Sequence, residues 1–279
     1  MNATSPVTAT RWQRLWDRGG FWPAALVCVV YLALYLLASL LIGRTLGDHV
    51  NPDSLFADLP SVLIGLTLPL AVGAVLLAVF VGSLGWFREL FARQPLRGRG
   101  WMWIAPAVIG AAILLRLFGT DYGAYSAGVV VVTLLSGLLI GLVEELLSRG
   151  IAVRLLRRAG HSERSVMLLS SLLFGLLHSS NAFTGQPLGL VLATIAFAFG
   201  FGVCMYLTLR VTRSLWAAVL LHGLYDPTLF LASGGIDQAA DGAQNSLLTL
   251  AGPANILCVL IAVVAVFLVR DRITERAVR

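Results

Sequence analysis

Apolar residues along this chain fall into long runs separated by short, arginine-bearing stretches. Eight runs approach or exceed the ~20 residues a helix needs to cross a bilayer. They lie at about 22–43, 61–82, 101–119, 126–156, 166–181, 188–209, 214–232 and 247–269. The fourth is long for one crossing, which predicts a tilted helix or one whose last turns project into the cytoplasm. The fifth is short and predicts a helix that ends inside the protein. The first follows a polar, Arg-bearing stretch and is longer than a signal-peptide core, so it reads as an anchor that stays.

The pattern predicts an all-α, polytopic transmembrane helical bundle of about eight spans with both termini cytoplasmic. Residues 1–21 read as a cytoplasmic N-terminal segment. Residues 22–270 read as a membrane domain with its motif-bearing core at 126–232, and 271–279 as a cytoplasmic tail.

Charge supports this drawing. All twenty basic residues are Arg. Seventeen of them fall in segments the drawing places inside, including Arg88, Arg93, Arg97, Arg157, Arg158, Arg270, Arg272, Arg276 and Arg279. Arg44 alone falls outside, beside Asp48, Asp53, Asp58, Asp121, Asp237 and Asp241, as the positive-inside rule requires.

The composition is 58% hydrophobic and 12% charged. Soluble domains carry about 25% charged residues, so a soluble enzyme is excluded. The net charge of +6 sits in short loops, which points to lipid headgroups and not to nucleic acid. Cys28, Cys204 and Cys258 each lie in an apolar run and read as packing residues. Arg11-Trp12-Gln13-Arg14-Leu15-Trp16 suits a segment lying on the inner leaflet, with a disordered tail as the alternative. The Lys-free composition suggests a GC-rich bacterial genome, hence a bacterial plasma membrane.

Ionisable groups inside spans cost about 2.5–3.5 kcal/mol each on insertion scales, so each needs a reason. Arg116 lies near the outer end of its run and reads as a residue that snorkels to the interface. Glu144, Glu145, Arg149, His178, His222 and Asp226 concentrate on the fourth, fifth and seventh runs. Glu145 and Arg149 are four apart on one helix face and predict an ion pair, with single substitutions harming folding more than a charge-swapped double. Glu144 is rotated about 100° from Glu145 and is left free for chemistry. His222 and Asp226 are again four apart, and Pro227 predicts a kink that frees the Gly223 carbonyl beside them. At ~1.5 Å per residue these groups reach similar depths, ~12–18 Å from the cytoplasmic helix ends. A lone His in an apolar run is most often a satisfied core residue. Six such groups on three helices at matched depth instead predict one buried polar pocket, serving as a hydrolytic site, a metal site or a proton or ion path.

At these residues the sequence resembles the CPBP (also called Abi) intramembrane proteases, which include the type II CAAX prenyl endopeptidases. The family's EExxxR, FxxxH and HxxxN/D patterns match Glu144-Glu145…Arg149, Phe174…His178 and His222…Asp226 in order. The resemblance covers about 126–232. It implies hydrolysis of a peptide bond in a membrane-associated peptide or protein. Glu144 and His178 would activate water, while Glu145 and Arg149 support the site. His222 and Asp226 would stabilise the oxyanion or hold a metal. A divalent ion such as zinc, on Glu144, His178, His222 and Asp226, stays open.

Two positions depart from the family. Ser148 stands where many members carry an aromatic residue, and Asp226 stands where the prenyl endopeptidases have Asn. An ionised Asp cannot donate to an oxyanion but can ligate a metal or orient His222. The alternatives are a non-catalytic membrane scaffold or bacteriocin-immunity protein of the same family and, third, a proton-coupled transporter.

Overall fold

The computed structural model describes residues 10–236 and 245–270. The proposed tail 271–279 with Arg272, Arg276 and Arg279, the first nine residues, and Asp237 and Asp241 lie outside the described residues. Among those described there are eight helices long and apolar enough to cross a membrane. Spans one to eight are Phe21–His49, Leu59–Leu84, Gly100–Gly119, Ala127–Arg158, Glu163–Phe183, Leu188–Thr212, Leu215–Ser233 and Ser246–Leu268. The chain is an integral multi-pass membrane protein. Leu26, Val79, Phe118 and Phe267 point outward from the bundle, as side chains facing lipid should.

Polar residues delimit the helices as capping chemistry dictates. Asp58 starts span two by accepting the Ser61 amide at 2.8 Å, and hydrogen bonds from the Ser61 hydroxyl and amide hold its carboxyl below the usual carboxylate range. Ser126 and Ser162 cap spans four and five, and Asn245 caps span eight. Gly85 and Gly234 end spans two and seven at φ 71° and 79°. Span five is not short: its α-helix runs Glu163–Leu177 and continues as a 3₁₀ turn over His178–Thr184.

Spans four and seven form the centre. Over half of the apolar window of span seven is enclosed (56%), against 17% for span one. The two backbones meet at Gly137 and Gly141, a GxxxG spacing that lets helices touch without intervening side chains. A methyl group on Gly141 would lie 2.6 Å from the Gly223 amide nitrogen, and closer still to the Val219 carbonyl. The expected kink at Pro227 takes a different form. Span seven stays helical through Pro227, and the Gly223 carbonyl abuts Gly137 instead of opening toward a cavity. Spans three, six and eight close one side around Ile109, Met205 and Cys258, while spans one and two flank the other with Tyr31 against Gly73.

The N-terminal segment contains a helix, Arg11–Asp17, opened by a Thr10–Gln13 capping box. Trp12 and Trp16 stack edge-on with Phe80, and Asp17 pairs with Arg154 at 2.9 Å. Several arginines of this end are internal. Arg157 donates to both Glu163 oxygens at 2.9 and 2.8 Å, and Arg210 adds a third contact at 3.3 Å. The three cysteines are free and buried.

The arginine bias predicts the orientation of this bundle. Reporter fusions at residues 95 and 161 should report the cytoplasm, and those at 50, 122 and 240 the opposite side. An outward-facing 95 or 161 would overturn the topology.

Candidate active site

Span four changes helical type at the polar sequence. It is α-helical over Ala127–Glu145, π-helical over Leu146–Ala152, and α-helical again over Val153–Arg158. Such π segments concentrate at functional sites because they re-aim side chains within a continuous helix. Ser148 sits in this segment, donates to the Glu144 carbonyl and accepts from Arg149. The residue that departs from the family pattern thus ties the motif together.

Glu145 and Arg149 pair as predicted, with 3.2 Å between Oε1 and Nη1 and both side chains fully buried. Arg149 has further work: Nη2 donates to the Gly202 carbonyl at 2.7 Å, and its guanidinium lies 4.5 Å over the Phe174 ring. Gly202 permits this approach, since a methyl group there would stand 2.9 Å from Nη2. The motif phenylalanine therefore supports the motif arginine, a role its spacing alone did not reveal.

His222 is the hub. Its Nδ1 lies 2.8 Å from Glu145 Oε1, the same oxygen that meets Arg149, while Glu145 Oε2 has no hydrogen-bond partner. Its Nε2 lies 3.3 Å from Asp226 Oδ2 and 3.9 Å from Glu144 Oε2. Glu145 therefore holds a histidine as well as an arginine, which goes beyond the predicted simple ion pair. Phe174 and Phe201 wall the imidazole, with ring centroids at 5.8 and 4.9 Å.

His178 stands where the α-helix of span five tightens into its 3₁₀ turn. Its Nδ1 meets the Phe174 carbonyl at 3.2 Å. A carbonyl only accepts, so Nδ1 carries a proton, and in the neutral ring Nε2 is the nitrogen with the free lone pair. His178, His222 and Asp226 line one cavity of about 120 Å³, together with Tyr225 and Asn255. Glu144 is outside that lining but within electrostatic reach of both histidines and of Tyr31 and Tyr35 on span one.

Arg116 does not snorkel. It is 4% exposed and turned inward, with its guanidinium 4.4 Å over the Tyr225 ring and Nη2 3.3 Å from the Tyr225 hydroxyl. That hydroxyl donates to Asn255 Oδ1 at 2.6 Å. Burial between spans three, seven and eight removes the route to the interface that position in the sequence suggests. Asn255 carried no motif; a lone amide near the start of an apolar run was the available signal.

Of the four candidate metal ligands, His178, His222 and Asp226 line the cavity, and Glu144 stands 3.9 Å from His222 Nε2. Both His222 nitrogens face carboxylate oxygens, and an ionised carboxylate only accepts, so a ring with both N–H groups satisfies these contacts. A cation at Nε2 would take the place of that proton, with Glu145 still accepting from Nδ1. Among the described residues, no three His, Cys, Asp or Glu side chains come together in a metal-holding group.

Residues 126–228 match the family model described as type II CAAX prenyl endopeptidase Rce1-like. No curated protein and no solved structure matches the chain. The matched interval begins at the cap of span four and includes all three motifs. It leaves out Arg116 and Asn255.

Proposed function

We propose, from the match of residues 126–228 to the type II CAAX prenyl endopeptidase-like family, that this chain is a membrane protease that hydrolyses a peptide bond in a membrane-associated peptide or protein with water held by Glu144 and His178. The observation that carries this reading is the convergence at His222, whose ring reaches Glu144, Glu145 and Asp226 and shares a cavity with His178.

A water between the Glu144 carboxylate and His178 Nε2 meets two acceptors, so its protons point to them and an oxygen lone pair is left for the scissile carbonyl. Attack forms the new C–O bond, moves one proton to Glu144 and places negative charge on the carbonyl oxygen. Collapse breaks the C–N bond as the departing nitrogen takes that proton, giving a carboxylic acid and an amine, and the acid's remaining proton passes to the amine to leave a carboxylate and an ammonium. Glu145 holds His222 in place through Nδ1, and Arg149 balances the charge of Glu145. Asp226 fixes the other side of the ring, which keeps His222 from rotating out of the cavity.

The test is cleavage of apolar peptides by the full chain in lipid nanodiscs, run in H₂¹⁸O. One ¹⁸O should enter the newly formed carboxylate, and turnover should survive dialysis against a strong chelator. Absence of cleavage across a broad peptide set would remove the hydrolytic reading. Chelator-sensitive turnover restored by zinc would return the metal to the site.

A further inference from the structure

A tetrahedral intermediate carries a negative oxygen, and catalysis requires hydrogen-bond donors aimed at the place where that charge develops. Asp226, when ionised, donates nothing. His222 Nε2 is engaged by Asp226 at 3.3 Å. Among the described residues that line the cavity, Asn255 alone carries a side-chain amide.

A chain of donors that starts at Arg116 sets the orientation of this amide. Arginine has donors only, so the Tyr225 hydroxyl accepts from Arg116 Nη2 at 3.3 Å. Its own proton then goes to Asn255 Oδ1 at 2.6 Å. With Oδ1 occupied, the two Nδ2 hydrogens are what Asn255 presents on its other side. The chain is also polarised. Arg116 is 4% exposed, and its Nη1 has no hydrogen-bond partner. A buried cation at one end strengthens each successive hydrogen bond and leaves the terminal amide hydrogens more positive. The cavity, at about 120 Å³, has room for roughly four waters by their share of liquid volume, so Asn255 and His222 face the same few atoms.

We propose that Asn255 is an oxyanion donor of this site, a catalytic residue outside the matched segment, with Arg116 and Tyr225 as the positioning residues that aim and polarise it. The proposal rests on the hydrolytic reading above. As water oxygen bonds to the scissile carbon, the carbonyl π pair moves to oxygen, where the Nδ2 hydrogens receive it. When the C–N bond breaks the pair returns, and Asn255 is unchanged.

Two variants and one probe test this. Asn255→Leu and Asn255→Asp should each lower kcat about 100-fold with KM within about twofold, the size expected for one oxyanion donor. Asn255→Asp is the decisive variant. It keeps an acceptor for Tyr225 and supplies Arg116 with a counter-charge, so a purely structural role would leave kcat at the wild-type value. The probe is an apolar phosphinic peptide, with a tetrahedral PO₂⁻CH₂ unit between two leucine-like residues, measured by isothermal titration on the full chain in nanodiscs. Asn255→Leu should weaken its binding about tenfold or more, while the same-sequence amide binds equally to the Glu144→Gln and Glu144→Gln/Asn255→Leu proteins. Wild-type turnover by Asn255→Asp, or phosphinic binding indifferent to residue 255, would overturn the proposal. If no peptide is cleaved but Asn255-dependent phosphinic binding persists, the anion-receiving role stands and the hydrolytic reading falls.

Discussion

Glu144→Gln should leave the protein folded in the membrane and lower peptide hydrolysis by ~10²–10⁴-fold, the range that general-base catalysis contributes. Gln has nearly the shape of Glu and still hydrogen-bonds, but it cannot take a proton from water. Its side chain is 27% exposed, whereas Glu145, one residue on, is fully buried under Arg149 and His222. Of the two adjacent carboxylates, only Glu144 can therefore lose its charge without exposing a buried cation. Rate measurements beside thermal melts of the purified protein check this. Near wild-type turnover by Glu144→Gln would remove Glu144 as the base.

The largest effect on folding is expected at Arg149. Arg149→Ala leaves Glu145 buried beside His222 and strips the Gly202 carbonyl of its donor. Breaking a buried pair from one side costs ~3–5 kcal/mol, a large part of the ~5–15 kcal/mol that holds a typical domain. Folded yield from membranes should collapse. The double change Glu145→Arg with Arg149→Glu should fail as well, contrary to the simple i,i+4 expectation. A carboxylate at 149 would face the Gly202 carbonyl, and His222 Nδ1 would lose its acceptor. A swapped double that expresses and melts like the wild type would show that mutual attraction alone is enough.

What the sequence revealed follows from which interactions are local. The span count depends on unbroken apolar runs, and the Glu145–Arg149 and His222–Asp226 pairs depend on helical spacing, so all were legible. The fate of Arg116 depends on spans seven and eight, more than a hundred residues away, and proximity to a helix end pointed the wrong way. Ser148 reads as a deviation when only its difference from the family pattern is weighed, although its bonds to the Glu144 carbonyl and to Arg149 are both local. The effect of Pro227 was half legible: the carbonyl it frees was foreseen, but not that Gly137 would cover it. Gly137-x-x-x-Gly141 was available as a signal for close helix contact and pointed to the partner helix of the site.

The direct backbone contact of spans four and seven has a mechanical consequence. Glu144, Glu145 and Arg149 ride on one helix and His222 and Asp226 on the other, with no side chain at Gly141 to act as a bearing between them. The two helices behave as a single anvil. A cavity of about 120 Å³ is smaller than the ~300–1,000 Å³ that bound ligands occupy, so a peptide has to widen it. That strain falls on the opposite wall, where span six meets the cavity through Phe197, a 38% exposed ring that swings on two torsions. The groups on spans four and seven stay still while span six yields, so the cost of admitting substrate is not taken from the alignment of Glu144 with His222 and Asp226.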